Sequence, residues 1–446
     1  MTKETLNRPE LVRKITRDIL AFRRGWQDFE DRQPPKQRAE VIDLNVAPFE
    51  VWSVSFFDRR DVRNHAEYLL DNLKRSPFPQ PEKDYLVAHL NASLAYLTEL
   101  NGRRYDFSHY VHDTLRVWPR EFSESEILSL KKEIVSLLER LGFGGDFTTA
   151  IIAFREANKT PNDQVINEIQ RCTREYMPRL RQYVGIDADI SYEIIPVEHD
   201  VPWKAWLRGE GDQIKLEINI HPQRVQWFRG DDKRIAMHEG THVYQLACFK
   251  KSIIDREISP ASGITTLHTP EQISGEGLAT TLPLLEPALT PLSPDGELSF
   301  KLALLERIVL HNAHIKINLS TPGSRDERIR EMDRTIKDVK YHIPYLTRRE
   351  IRDILSRRLQ SALDRGYELS YTEGARLHIE VLEDLGRNPA LFRELVREEF
   401  RRPMTAEQIR EFAEQLRIDN RAPDHLIRRD NTPGRNSGIT SLASKA

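Results

Sequence analysis

The feature that most constrains this chain is a pair of histidines four residues apart with a glutamate directly after the first: His238, Glu239 and His242 in the stretch RIAMHEGTHVYQ. Residues i and i+4 share one face of a helix, with Cβ atoms roughly 5–6 Å apart, so two imidazoles there can bind one small cation. Apolar residues around the motif, among them Ile235 and Val243, recur at helical spacing. The stretch therefore predicts a helix that presents both histidines on one face.

This pattern favours a zinc site over ordinary buried histidines. Neutral imidazole suits Zn²⁺, and a rigid helix fixes the separation of the two ligands. Glu239 would lie beside the metal, where it could take a proton from a water whose pKa zinc lowers to about 7. The alternative is a buried helix whose histidines only form hydrogen bonds. With 14 histidines in the chain, the motif arises by chance in only roughly a few per cent of such proteins.

A catalytic zinc site usually has three protein ligands and an open position, so a third ligand must come from elsewhere. Downstream, the stretch ISGEGLATTL predicts a helix in which two glycines flank Glu276. Each glycine inside a helix costs about 1 kcal/mol relative to alanine. Close approach to the metal helix would compensate for this cost and bring Glu276 within reach, although a kink is the other explanation. Glu271 and His268 compete for the same role, and Glu271 could instead be a favourable charge in the first helical turn.

The composition gives no case for nucleic acid or for an anionic membrane, since 67 Lys and Arg against 69 Asp and Glu leave a net charge of −2. The two cysteines, Cys172 and Cys248, suggest neither a disulfide framework nor a thiolate metal cluster. No apolar run approaches the roughly 18 residues of a membrane helix, and the N-terminus lacks the apolar region of a signal peptide. We therefore expect a cytoplasmic protein that binds neither nucleic acid nor membranes.

The periodicity predicts a mainly α-helical fold with one change of period. Residues 190–194 and 214–220 alternate apolar and polar side chains, which predicts two half-buried strands. We expect these strands to form a small antiparallel β-hairpin that lines the active-site cleft, where its edge could align an extended peptide. A small structural sheet that covers the metal helix is the alternative. The run from Ile42 to Phe57 could be a strand or a helix.

We divide the chain into four parts on these patterns. They are an N-terminal helical region (1–185), a zinc-binding catalytic core with the hairpin and both ligand helices (186–330), a C-terminal helical region (331–420) and a tail (421–446). The tail is rich in Gly, Ser, Thr and Asn, so we expect it to be flexible.

Zinc hydrolases commonly add a Tyr, His or Arg donor that stabilises the developing oxyanion. The stretch ERIVLHNAHIKI predicts a helix with three such residues on one face, and we count His311 among the catalytic candidates. A polar helix face packed against a neighbour is the alternative. This face carries Arg307, His311 and His314, and the stretch KYHIPYL offers Tyr341, His342 and Tyr345.

The motif HEGTH, followed some thirty residues later by GEGLA, resembles the gluzincins, which are the HExxH-plus-Glu zinc metallopeptidases. It is most similar to their helical, funnel-shaped branch, which includes carboxypeptidase Taq-like enzymes and uncharacterised bacterial relatives. The segment LSYTEG, from Leu369 to Gly374, looks like the C-terminal tyrosine-glycine segment of these relatives. The likeness covers roughly the C-terminal half of the chain.

The resemblance implies a gluzincin-like fold and a hydrolase of peptide bonds with one Zn²⁺ per chain. It implies that Tyr371, which matches the relatives' tyrosine, is the first choice for the oxyanion donor and that Glu239 is the general base. The ligands that it implies are His238, His242 and Glu276.

The chain departs from the best-known members in lacking a third histidine of the metzincin type and recognisable exopeptidase motifs. A zinc hydrolase of a small amide or a modified amino acid is therefore one alternative. A helical scaffold with a vestigial metal site is another, but a purely structural site does not need Glu239.

Overall fold

The computed structural model describes residues 8–47, 52–211, 213–287, 289, 291–320 and 324–421. This part of the chain is mainly α-helical, as the periodicity predicts, and it also contains a small mixed β-sheet. The predicted tail lies outside the described residues except for residue 421, and so does part of the ambiguous run near residue 50.

In the described part of the chain, seven α-helices precede the helix with the metal-binding motif. They are α1 (Arg8–Asp31), α2 (Arg59–Lys74), α3 (Gln80–Leu100), α4 (Phe107–Leu115), α5 (Glu124–Arg140), α6 (Phe147–Ala157) and α7 (Asn162–Val184). The other helices are α8 (Asp231–Ile254), α9 (Glu271–Leu285), α10 (Pro294–Leu319), α11 (Arg325–His342), α12 (Arg348–Gln360), α13 (Ala362–Tyr367), α14 (Ser370–Asp384), α15 (Pro389–Arg401) and α16 (Ala406–Arg421). The strands are β1 (Ile42–Asn45), β2 (Lys159–Thr160), β3 (Tyr192–Val197), β4 (Ala205–Glu210), β5 (Gln213–Asn219), β6 (Trp227–Phe228) and β7 (Ile264–Thr266).

The main sheet has the strand order β3-β5-β4-β1-β7, and β2 pairs with β6 separately. The predicted antiparallel pairing of the two alternating segments is wrong, because β3 and β5 lie parallel. The segment between them contains β4, which pairs antiparallel with β5. The buried side chain of Asn219 donates hydrogen bonds of 3.0–3.1 Å to the carbonyls of His199, Val201 and Trp203. These bonds hold the connection from β3 to β4 against the end of β5.

The predicted helix around the two histidines is confirmed as α8. Asp231 and Asp232 lie in its first turn and Lys251 in its last, so each charge opposes the partial charge of the helix end. Most of its side chains are buried, because α7, α9, α10 and α15 pack around it. The motif therefore lies on a rigid central helix.

Helices α9 and α14 approach each other at two glycines, Gly277 and Gly374. A Cβ atom on Gly277 would lie 2.4 Å from the carbonyl carbon of Gly374, so neither position has space for a side chain. The close approach predicted from the glycines beside Glu276 therefore exists, but Gly277 makes it with α14 rather than with the metal helix. Gly275 is the glycine that faces the metal helix, where a Cβ would lie 3.7 Å from Cε1 of His242.

Three clusters of buried apolar side chains stabilise the packing of these helices and strands. The first surrounds α8 and the sheet, the second joins α5 and α6 to α10, α11 and α12, and the third lies between α1, α2 and α3. No helix among the described residues is both long enough and apolar enough to cross a membrane.

Candidate metal centre

The two histidines of α8 and Glu276 of α9 form one buried cluster. Nε2 of His238 lies 3.2 Å from Oε2 of Glu276, and Nε2 of His242 lies 3.5 Å from the same oxygen. The two Nε2 atoms are 3.3 Å apart. The structure thus brings together the three residues that the sequence predicts as ligands.

The spacing of these three atoms fits a tetrahedral metal ion. Bonds of about 2.0–2.1 Å to a tetrahedral zinc place neighbouring ligand atoms about 3.3–3.4 Å apart, which matches the observed separations of 3.2–3.5 Å. Oε2 of Glu276 is buried and receives no hydrogen bond from the described residues. A buried carboxylate oxygen without a partner is costly, and a cation at the centre of the cluster would remove that cost.

The electrostatics of the cluster are those of ligands ready to bind a cation. Burial lowers the pKa of His238 to about 4, so its imidazole is neutral, as metal binding requires. Burial alone would raise the pKa of Glu276, but the charge of His242 and the close approach of both imidazoles hold it well below its usual value. Burial would likewise lower the pKa of His242, but Glu276 outweighs it and raises that pKa.

Glu239 lines the same cavity but takes no part in the cluster of ligand atoms. Burial raises its pKa to about 7, and Glu276 adds to this effect while His242 opposes it. A carboxylate with a pKa near 7 can both accept and return a proton at neutral pH. Its position and its pKa therefore suit a general base.

Two tyrosines of the α13–α14 region extend the site. Tyr371 stacks near the His238 ring, with centroids 6.2 Å apart, and its hydroxyl lies 3.1 Å from that of Tyr367. The Arg307 guanidinium lies 3.8 Å from the centroid of the Tyr371 ring and donates to Oγ1 of Thr280. Burial raises the pKa of Tyr371 well above its usual value, so the phenol keeps its proton and can donate it in a hydrogen bond.

Tyr367 is a site residue that the sequence reasoning missed. Its hydroxyl donates a 2.6 Å hydrogen bond to Oε1 of Glu276, the oxygen that does not face the histidines. This contact fixes the orientation of the carboxylate, as partners behind metal ligands do. The available signal was spacing, because Tyr367 precedes Tyr371 by four residues, and on a continuous helix such a pair would share one face.

Asp43 is the second site residue that the sequence patterns do not predict. The pairing of β1 with β7 shifts register between Ile42 and Leu44, which leaves Asp43 as the extra residue of a β-bulge. Bulges redirect side chains, and Asp43 lines the cavity beside the cluster. Burial raises its pKa to about 7, with a further contribution from Glu276.

A buried polar network joins the helices that carry the site. Oγ of Ser274 on α9 donates a 2.5 Å hydrogen bond to Oε2 of Glu399 on α15, and Nε2 of His378 on α14 lies 3.1 Å from the same oxygen. Nε2 of Gln245 on α8 donates to the backbone carbonyl of Glu399 at 3.4 Å. Glu399 therefore fixes three site helices relative to one another.

The structure places His311 away from the metal cluster. Its Nε2 lies 2.8 Å from the carbonyl oxygen of Arg120, its Nδ1 lies 2.7 Å from Oγ1 of Thr372, and it does not line the cavity. Burial lowers its pKa to about 3, so it is neutral. His314, on the same helix face, is also buried and packs against Phe107. Of the three residues on that face, Arg307 alone reaches Tyr371.

The competitors for the third ligand position have other partners. Glu271 lines the cavity, but its Oε1 accepts a 2.7 Å hydrogen bond from Thr269 and faces His89. His268 stacks on Tyr96 with ring centroids 4.4 Å apart. The remaining donor candidates lie outside the cavity: Tyr341 is largely exposed, His342 faces Glu124 and Tyr345 packs under Arg155.

A second group of ligand-type side chains lies where α7 meets the start of α8. Glu168, Cys172 and Asp232 have ligand atoms within 4.8 Å of one another. Arg171 already pairs with Glu168 at 2.8 Å, and burial raises the pKa of the Cys172 thiol to about 11. This group therefore offers a protonated thiol and a paired carboxylate rather than a metal centre.

No family model matches this chain, and no curated protein matches it with significance. One solved structure that does match is described as the putative lipoprotein from Colwellia psychrerythraea. The two chains are 13% identical, with a TM-score of 0.55, and the match covers 94% of this chain and 77% of that one. At this identity the likeness shows a shared fold alone.

Proposed function

We propose that this protein is a zinc-dependent hydrolase of peptide bonds, with one Zn²⁺ per chain held by His238, His242 and Glu276. The observation that carries the proposal is the spacing of three buried ligand atoms, 3.2–3.5 Å apart, around a carboxylate oxygen that receives no hydrogen bond from the described residues. A zinc ion there would supply Lewis acidity, which polarises a carbonyl and makes a water molecule acidic enough to lose a proton near neutral pH.

The chain's own residues would then perform the proton transfers. Glu239 accepts the proton of the attacking water and returns it to the leaving amine, a sequence that its pKa of about 7 permits. Tyr371 donates a hydrogen bond to the carbonyl oxygen as negative charge develops on it. Tyr367 and Arg307 hold Tyr371 in place from two sides.

The sheet supports a peptide as substrate. Ala205, Trp206 and Leu207 of β4 line the cavity. Among the described residues, β4 pairs with β1 only between Glu210 and Asn45. The remaining main-chain groups of β4 on the side toward β1 can bond to an extended peptide as a neighbouring strand would.

Metal content and turnover together test this function. We expect about one zinc per chain by elemental mass spectrometry, lost in His238→Ala and kept in Glu239→Gln. We expect Glu239→Gln to lower kcat about 10²–10⁴-fold on a quenched peptide library, since general acid–base catalysis contributes that much.

Two results would overturn the proposed chemistry, and a third would change the substrate class. If the protein binds no metal even when zinc is supplied, the interpretation that remains is a helical scaffold without a catalytic metal. If Glu239→Gln retains full turnover, Glu239 is not the general base. Cleavage of small amides with no cleavage of any peptide would retain the chemistry and replace the substrate class.

A further inference from the structure

A second cavity adjoins the one at the metal cluster. The two cavities share Asp43 and Trp206 in their lining, so these side chains lie where one opens into the other. The second cavity has a volume of about 180 Å³. Since about 10–15 Å³ holds one water molecule, this space accommodates a large side chain.

The Asp43 carboxylate lacks a cationic partner. It accepts a 3.4 Å hydrogen bond from Nε2 of Gln272, and no ion pair joins it to any described cationic side chain. Asp43 is half-buried, and a cationic partner would stabilise its ionised form. Asp43 lies at the bulge of β1 and lines both cavities, so a cationic group of a bound ligand would be its natural partner.

The rest of the second cavity is also better suited to a cation than to an anion. Its lining includes the carboxylates of Asp31 and Glu40 as well as Asp43. Of its two arginines, Arg208 pairs with Glu217 at 3.3 Å, and Arg38 donates to a backbone carbonyl at 2.8 Å.

Trp206 supplies an aromatic wall to both cavities. An indole face packs against an aliphatic stem and attracts an ammonium or guanidinium group by about 0.5–2 kcal/mol. Carboxylate and indole together match the two parts of a lysine or arginine side chain.

We propose that the second cavity is a substrate subsite for a lysine or arginine side chain of a peptide whose scissile bond lies at the metal cluster, and that Asp43 determines this specificity. The subsite rests on the proposed hydrolase function, because it is defined relative to the bond being cleaved.

The test compares quenched peptides that differ at one position, which carries arginine, citrulline or glutamate, with that position scanned along the peptide. Citrulline has nearly the shape of arginine without its charge. At one position we expect the wild-type protein to prefer arginine over citrulline about tenfold or more in kcat/KM, in line with the value of a close charge pair. In Asp43→Asn this ratio falls close to one.

The ratio isolates the subsite from the metal centre. A disturbed metal centre lowers the rates of both peptides alike, whereas loss of the Asp43 charge affects the arginine peptide. Asp28→Asn, on α1 beside Arg24, removes one carboxylate outside both cavities and leaves the ratio unchanged. Fluorescence anisotropy of labelled arginine and citrulline peptides on Glu239→Gln, with and without Asp43→Asn, gives the same comparison as equilibrium binding.

The outcomes separate the two proposals. If no peptide is cleaved at all, the hydrolase function fails. If peptides are cleaved without a preference for arginine at any position, or the preference survives in Asp43→Asn, the subsite is wrong and the hydrolase stands. A preference for glutamate would assign the cavity to Arg38 and Arg208 instead. If Asp43→Asn does not fold, Trp206→Leu must weaken the arginine preference, and an unchanged preference there overturns the subsite.

Discussion

Glu239 and Glu276 are two buried carboxylates whose surroundings shift their pKa values in opposite directions. Burial dominates at Glu239 and raises its pKa to about 7. Glu276 is equally buried, but both histidines face it, which holds its pKa well below the usual range. Pairs of carboxylates separated in this way divide the roles of proton carrier and anion. The same division assigns Glu239 as the base and Glu276 as the ligand.

Tyr367 is expected to matter for metal binding rather than for the chemical step. Its hydroxyl donates to Oε1 of Glu276 at 2.6 Å, so Tyr367→Phe leaves that buried oxygen without its donor. Loss of such a partner typically lowers metal affinity about 10–100-fold. Competition against a zinc chelator measures this change.

The matched control is Tyr371→Phe, which removes the neighbouring hydroxyl 3.1 Å away. It should keep its zinc affinity and lower kcat, because Tyr371 faces the substrate carbonyl in the proposed reaction. If the two variants lose metal to the same extent, the separate roles given to the two hydroxyls are incorrect.

At this scale, the sequence predicts the residues that one helix brings together and misses those that tertiary contacts bring in. His238 and His242 follow from helical spacing, and Glu276 follows from the glycines beside it. Asp43 reaches the cavity only because of a bulge in the pairing of β1 with β7, some 200 residues away in sequence. No local sequence pattern predicts such a bulge.

Among the elements, the contact between α9 and α14 brings Glu276 close to Tyr367 and Tyr371. Both helices can be recognised in the sequence. The sequence does not show which other helix packs against the glycines of α9. The prediction of the strand pairing was wrong for a related reason. The segment AWLRGE has a glycine and two charged residues, so it resembles a loop, yet it forms β4 because β5 offers it a partner.

Gly277→Ala tests this contact. Its Cβ would lie 2.4 Å from the carbonyl carbon of Gly374, and backbone atoms cannot move aside as a flexible side chain can. We expect a loss of about 1–3 kcal/mol in the free energy of unfolding, together with a lower zinc content because Glu276 is displaced. Urea unfolding and elemental mass spectrometry measure the two effects.

Gly144→Ala is the control, since a Cβ there meets nothing within 4 Å. It should change neither stability nor zinc content appreciably. Gly277→Ala with wild-type stability would mean that the two helices are not in close backbone contact.

Across the whole molecule, buried neutral histidines lie in separate regions of the core. Burial lowers the pKa of His89 on α3 to about 4 and that of His311 on α10 to about 3. In the unfolded chain both titrate near pH 6.5. Between that pH and their folded values, the unfolded state binds protons that the folded state does not. Their contribution to stability is therefore full above about pH 6.5 and decreases as the pH falls through this window.

Each of these histidines should add up to about 1.4 kcal/mol per pH unit to the slope of the unfolding free energy. His89→Gln and His311→Gln should each reduce the slope between about pH 4 and 6.5, whatever they do to stability at neutral pH. Urea unfolding at a series of pH values measures the slope, and differences from the wild-type protein cancel the effect of metal release.

Leu90→Ala, next to His89 and buried, controls for lost packing because it destabilises the protein without changing the slope. A slope that is identical in the wild-type protein and both histidine variants would show that these side chains are not held neutral in the folded core.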